Sequence, residues 1–249
     1  MSDIESENQH GLTGMGVRNM KRLAIITARG GSKRIPRKNI KEFCGKPIIA
    51  YSIEAAIESG AFDTVMISTD DEEIAEIGRK YGAEVPFYRS DATSNDYATT
   101  TDVLMEVIDE YEKRGQHYDM ACCIYPTAPF VSADRLKEAM GKLAESDADS
   151  LIPVVGFSYP PQRAMVIEDG KLVFKYDEYL TTRSQDLEKQ YHDAGQFYAF
   201  RTDSLKKNGN LLKGRILPLV LEELEVQDID TLVDWKLAEL KYNLINENK

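Results

Sequence analysis

Short apolar runs alternate with amphipathic stretches of roughly 10 to 15 residues from Met20 to Val155, and this rhythm constrains the fold more than any other feature. A short run bounded by turn residues reads as a buried strand, and the stretch after it as a crossover helix. The pattern therefore predicts βα units on a parallel sheet. Leu23 to Ala28 is the first strand, ended by Gly30-Gly31. Pro47 sits at a first helical position, Ile49, Ile53 and Ile57 recur every four residues and Gly60 supplies a stop, which predicts a helix over 47–59. Further strands are expected at 64–68, 85–88, 120–125 and 150–155, with helices from Thr69 to Tyr81, over 100–114 and over 133–145.

After Val155 the rhythm changes. Tyr159-Pro160-Pro161 breaks the chain, and MVIEDGKLVF carries Asp169-Gly170 between two apolar runs, a hairpin signal. Residues 157–192 are expected to form an inserted β-rich lobe. Gly195 to Arg201 and Arg215 to Val220 return to the sheet, and 232–246 reads as a terminal helix with Val233, Leu237, Leu240 and Leu244 on one face. The expected architecture is a three-layer α/β domain over 20–249. Residues 1–19 are polar and aperiodic and are expected to be a disordered leader.

At 249 residues, 42% hydrophobic and 29% charged, the composition is that of a soluble domain. No apolar run approaches the roughly 18 residues a membrane span needs, and the amino terminus has no apolar core for a secretory signal, so a soluble, cytoplasmic protein is expected. Cys44, Cys122 and Cys123 have neither zinc-site nor CxxC spacing and read as reduced thiols. With 42 acids against 31 bases the net charge is -11, which argues against nonspecific binding to nucleic acid or anionic membrane. An anionic ligand would need a local basic site.

Such a site follows the first strand. Arg29 to Lys41 holds six bases and no acid in thirteen positions, at the strand end where open α/β sheets bind ligands. Its glycines let backbone N–H groups approach a phosphate while Arg and Lys neutralise charge, so a triphosphate is the natural guest and a solvated basic loop the plainer alternative. GxxxxGK[ST] and GxGxxG are both absent, which disfavours a P-loop NTPase and a nicotinamide dehydrogenase.

Two later clusters could complete a site. Asp228 and Asp230, at i and i+2 in an extended segment, suit shared coordination of a hard cation such as Mg²⁺, although Asp230 would also serve as the N-cap of the terminal helix. In Tyr191 to Tyr198, His192 could orient a polar substrate or act as a base; a surface pairing with Asp193 is the alternative. No hydrolase-like triad is visible.

TARGGSKRIPRKN, VMISTD, YPTAPF and the late DID, in that order, resemble the CMP-sialate synthetase (acylneuraminate cytidylyltransferase) family over residues 20–245. RSQDLEKQYHDAGQFYAF is more similar to the family's pseudaminic acid cytidylyltransferases than to its sialic acid enzymes. The resemblance implies a Rossmann-like nucleotidyltransferase fold with a dimerising β lobe, hence a homodimer. It implies that Arg29, Ser32, Lys33 and Lys38 hold the CTP phosphates, that Asn39, Arg89, Ala98 and Thr100 line the cytidine, and that Asp228 and Asp230 bind Mg²⁺. Around Arg89, the alternative reading makes Asp96 or Thr99 a helix cap.

For the acceptor sugar the matching positions are Tyr125, Arg183, His192, Gln196 and Tyr198. Tyr125 stands where the sialate enzymes usually carry Gln, and Ala194-Gly195 replaces their Asn-Gly; both departures fall on the sugar side. The implied reaction is attack by the anomeric hydroxyl of a nine-carbon 2-keto sugar acid on the α-phosphorus of CTP, with pyrophosphate leaving. Arg29, Lys33, Lys38, Asp228 and Asp230 would carry the catalysis, and Arg183 would clamp the sugar carboxylate. Alternatives are a CMP-legionaminate or CMP-N-acetylneuraminate synthetase, or a catalytically silent nucleotide-binding protein.

Overall fold

The computed structural model describes residues 20–247, and the leader expected at 1–19 lies outside them. In chain order the elements are β1 (Arg22–Thr27), a ribbon of β2 (Glu42–Phe43) and β3 (Lys46–Pro47), α1 (Ile48–Glu58), β4 (Thr64–Ser68), α2 (Glu72–Lys80), the one-turn α3 (Asp91–Ser94) and α4 (Thr100–Lys113). There follow β5 (Met120–Ile124), α5 (Ala133–Ala144), β6 (Ser150–Gly156), β7 (Met165–Glu168), β8 (Lys171–Phe174), β9 (Tyr191–Asp193), β10 (Phe197–Arg201), α6 (Thr202–Asn208), β11 (Ile216–Leu221) and α7 (Leu232–Glu247).

The main sheet runs β11-β6-β10-β5-β1-β4, with β9 also paired to β6. β4, β1 and β5 are mutually parallel and β11 is parallel to β6, as crossover helices require. The expected parallel sheet is nevertheless mixed, because β10 runs antiparallel to both β5 and β6. The chain comes back from the lobe along β6, first as β9 and, past Gly195 at φ 63°, as β10, with no helix between to reverse its direction.

Side chains alternate across the sheet, and each face has its own helices. Ala24, Ile26 and Cys122 pack with Ile49 and Ile53 of α1, Ile74 of α2 and Leu136 of α5; Leu23, Ile25 and Cys123 pack with Leu104 and Val107 of α4 and Leu205 of α6. These are the three layers. A third cluster matters more for the site. It buries Ile35 from the basic loop and Ile229 from between the two aspartates with Phe43, Ile48 and Trp235 of α7.

Two expectations need correction, and two short helices are additions to them. Residues 85–88 form no strand; a single bridge joins Glu84 to Met66, and Pro86, which lacks an N–H, cannot extend it. The one-turn α3 and α6 had no clear sequence signal. In α7 the stripe of Val233, Leu237, Leu240 and Leu244 faces solvent, while Trp235 and Ala238 face the core. In the inserted segment the Asp169-Gly170 turn forms, with φ of 49° and 75° as a type I′ hairpin demands, and every residue of β7 and β8 is exposed.

Candidate active site

The basic loop is anchored to the end of β4. The amide of Gly30 donates to Asp70 Oδ1 at 2.8 Å, and a Cβ on Gly30 would lie 2.8 Å from Asp71 Oδ2, so only glycine allows this approach. Asp71 caps α2, accepting from the Ile74 amide at 3.0 Å, and takes both arms of the Arg37 guanidinium; Arg37 also reaches Glu73. The Arg37 bonds hold the Asp71 carboxyl below the usual carboxylate range. Arg37 thus maintains the loop, and five bases of the six remain for other partners.

Four of those bases, Arg29, Lys33, Arg34 and Lys38, enclose with Ser32 and Asn39 a cavity of about 440 Å³, with Pro126 and Thr127 also lining it. Arg29 Nη1 lies 2.7 Å from Asp96 Oδ1, and Lys33, 76% exposed, pairs with the other oxygen of that carboxyl. Together, Lys33 more than Arg29, they hold Asp96 low. Arg34 Nη1 meets Asp230 Oδ2 at 2.7 Å. Lys38 Nζ donates to the Ile229 carbonyl at 2.7 Å and stands 3.8 Å from Asp230 Oδ1. The buried Asn39 donates to the Arg29 carbonyl at 2.9 Å. The structure thus gathers Arg29, Ser32, Lys33, Lys38 and Asn39 as expected and adds Arg34.

Arg89 arrives where the expected third strand is missing. Its amide donates to the Thr69 carbonyl at 2.9 Å and its Nε to Ser68 Oγ at 2.8 Å. Nη2 is sealed from solvent and has no acceptor among the described residues. Burial draws this guanidinium down to about 10, with Asp70 opposing the shift. Arg89 is thus a desolvated cation with one unused donor at the carboxyl end of β4, the kind of buried group that calls for an explanation.

The cap alternatives near Arg89 separate cleanly. Thr99 is the N-cap of α4 in a reciprocal box with Asp102, whereas Asp96 binds the basic loop. The Ala98 amide is bonded to Asn95 Oδ1 at 3.0 Å. Thr100 does not line the basic cavity; it lines a side cavity of about 210 Å³ with Tyr125, Asp193, Tyr198, Asn210 and Leu212.

A larger cavity of about 550 Å³ lies on the other side of Tyr125, lined by His192, Asp193, Glu223, Gln227, Asp228 and Lys241 among others. Asp193 is tightly held, accepting from Tyr198 Oη at 2.6 Å and from the Gly195 amide at 2.8 Å. Tyr125 and Tyr198 meet edge to face at 5.6 Å. His192 Nδ1 contacts the Asp193 backbone carbonyl at 2.9 Å and its ring packs on Phe157, so the imagined pairing with the Asp193 carboxylate does not form.

Two sugar-side expectations are not brought together by this chain. Gln196 is buried, and its Nε2 donates to the Glu225 carbonyl. Arg183 is 74% exposed on the lobe, paired with Asp186 at 3.0 Å, and lines neither large cavity.

The aspartates straddle the two cavities. Asp228 enters the larger one and Asp230 faces Arg34 and Lys38 of the basic loop. Asp230 is not the helix cap: Thr231 Oγ1 accepts the Asp234 amide at 3.3 Å, and Asp234 accepts the Thr231 amide at 2.7 Å. Among the described residues there is no group of three or more metal-ligating side chains. Asp228 and Asp230 offer hard carboxylate oxygens, the donor type Mg²⁺ takes when substrate phosphates and water complete its shell, so the residues fit that ion. Arg34 is the cavity-lining position that sequence reading passed over; its place among the loop's bases was the available signal. Lys241 gave none, being one lysine on a long helix.

Comparison with known proteins bears on this arrangement. Residues 23–233 match a family model described as cytidylyltransferase. The chain is 45% identical over 230 residues to a pseudaminic acid cytidylyltransferase of Campylobacter jejuni, covering 92% of this chain and 99% of that one. It is 32% identical over 238 residues to the CMP-N,N'-diacetyllegionaminic acid synthase of Legionella pneumophila, again covering 92% and 99%. A solved CMP:2-keto-3-deoxy-manno-octonic acid synthetase complexed with CTP superposes with a TM-score of 0.66 over 91% of this chain and 99% of its own, at 18% identity, which speaks for the fold.

Proposed function

This chain belongs to the cytidylyltransferase family, and on that premise we propose that it transfers CMP from CTP to the anomeric hydroxyl of pseudaminic acid, releasing pyrophosphate. The supporting observation is the pair of cavities lined by successive residues of Tyr125 to Thr127: one basic and sized for a triphosphate, one polar and open, with Asp228 lining the polar one and Asp230 paired to the basic loop.

In this reading Arg29, Ser32, Lys33 and Lys38 bind the phosphates, Lys33 and Arg29 exchanging Asp96 for the more highly charged ligand. Arg89 Nη2 and Ala98 address the base, with Asn39 holding the loop beneath it. Thr100, Tyr125, His192 and Tyr198 shape the sugar side, and Gln196 acts through Glu225. The anomeric oxygen attacks the α-phosphorus in line, the bond to the bridging pyrophosphate oxygen breaks, and the hydroxyl proton leaves to solvent. Catalysis is positioning plus charge neutralisation, with Lys33 and Arg29 offsetting charge on the leaving pyrophosphate. Asp228 and Asp230 would hold Mg²⁺, which would supply charge neutralisation for the phosphates and Lewis acidity at the reacting centre.

We further assign a homodimer, acting in the cytoplasm. Support for the dimer comes from the β7–β8 hairpin, where Ile167 and Leu172 are 77% and 66% exposed on a ribbon with no covering layer among the described residues; an isolated hairpin of this kind is marginal in water. A second copy would cover it and bring Arg183 to a sugar carboxylate, for which its planar fork is suited. No helix among the described residues is long and apolar enough to cross a membrane.

The test is pyrophosphate release from CTP and Mg²⁺ with pseudaminic, N,N'-diacetyllegionaminic or N-acetylneuraminic acid, or no sugar. Release that depends on pseudaminic acid is expected. Preference for another acid would overturn the substrate assignment, and no release with any would overturn the reaction.

A further inference from the structure

Three side chains from separate elements converge on the residues that lead to Asp228. Arg135, in the first turn of α5, grips Glu225 with a fork, Nε to Oε1 and Nη2 to Oε2, both at 2.9 Å, while its Nη1 reaches Glu138 at 2.9 Å. Glu225 accepts the Glu222 amide at 2.9 Å and so closes the 3₁₀ turn at Glu223–Glu225 that follows β11. Its carbonyl takes the Gln196 amide, and Lys241 Nζ from α7 donates to the Val226 carbonyl at 2.9 Å. Farther along, Lys38 of the basic loop holds the Ile229 carbonyl at 2.7 Å and Ile229 is sealed in the core. The stretch from Glu222 to Asp230 is therefore set from both ends, and the two carboxylates lie between the settings.

We propose that Arg135 is a positioning residue for Asp228 and Asp230, fixing through Glu225 where this stretch passes from the polar cavity to the basic loop. The inference rests on the reading of those carboxylates as the ligands of the CTP-associated metal. A bidentate guanidinium–carboxylate pair fixes orientation as well as distance, which the point charge of a lysine cannot do. Only two residues separate Glu225 from Asp228, so a shift on the order of 1 Å at Glu225 is carried to the carboxylate, and misplacement of that size costs up to about 10²-fold in rate.

Arg135→Gln, Arg135→Lys and Glu225→Gln would be compared with wild type by steady-state kinetics and by Mn²⁺ binding, followed by electron paramagnetic resonance with and without CTP. For Arg135→Gln the expected result is a fall in kcat on the order of tenfold to 100-fold, with KM for CTP changing far less. CTP-dependent Mn²⁺ binding should weaken severalfold, and Arg135→Lys should recover only a minor part of either loss. A folded Arg135→Gln with wild-type kcat and Mn²⁺ binding, or full rescue by lysine, would overturn the proposal. If Arg135→Gln does not fold, Glu225→Gln, which keeps the side chain's size, carries the same expectations. Asp228→Asn separates the two layers: wild-type Mn²⁺ binding by that variant would remove the metal reading itself, whereas its loss beside an unaffected Arg135→Gln would remove only the positioning role.

Discussion

Replacing Gly30 by alanine tests how the phosphate loop is held. The new Cβ would stand 2.8 Å from Asp71 Oδ2 and 3.0 Å from Asp71 Cβ, against the roughly 3.5 to 4.0 Å of ordinary contact, so something must move by about 1 Å. Asp71 is poorly placed to yield, since it caps α2 through the Ile74 amide and receives both arms of Arg37. The loop therefore moves and the Gly30–Asp70 hydrogen bond is stretched or lost. That bond is solvent-exposed, which limits the stability cost to about 1–2 kcal/mol, or about 2–8 °C in Tm for a chain of this size. The catalytic cost is larger, because Arg29, Ser32 and Lys33 flank the moved residue: kcat/KM for CTP should fall on the order of 10²-fold. Pyrophosphate release against CTP concentration and thermal unfolding measure the two effects. Gly31→Ala is the control, since its Cβ meets nothing within 4 Å, so its stability should be that of wild type. Wild-type kcat/KM in Gly30→Ala would refute the reasoning.

Lys33→Ala should raise KM for CTP by about tenfold or more while leaving Tm unchanged, because Asp96 retains Arg29 as a partner; unaltered CTP kinetics would contradict its phosphate role. Tyr125→Gln should shift relative activity from pseudaminic toward N-acetylneuraminic acid, and an unmoved ratio would take sugar choice away from this position. Asp71 has a lowered folded-state pKa through Arg37, so its stabilising contribution is present above the unfolded value near pH 3.9 and is lost as pH falls through the folded value. Asp71→Asn, which preserves a capping oxygen, should lower stability at neutral pH and flatten the acid limb of a denaturation series below about pH 4. An unchanged acid limb would show that the Arg37 pair contributes nothing there.

The amino-acid sequence by itself determined the βα rhythm from β1 to β6, the Asp169-Gly170 hairpin, and the basic loop's position at a strand end. All three follow from short-range rules: side-chain period, turn chemistry and the fixed place of a loop after its strand. Ionic partnership does not follow from such rules. Arg29 and Lys33 meet Asp96 more than sixty positions away, Arg34 meets Asp230 across nearly the whole chain, and Arg37, indistinguishable from its neighbours in the sequence, serves Asp71 and Glu73 instead of a ligand. The direction of β10, the burial of Gln196 against Glu225 and the outward turn of the α7 leucines were likewise settled by packing. Trp235 has the larger surface to bury and takes the core side of α7, and the leucine stripe is left facing out. A residue's type tells what it can bind, but only the fold puts a particular partner within reach.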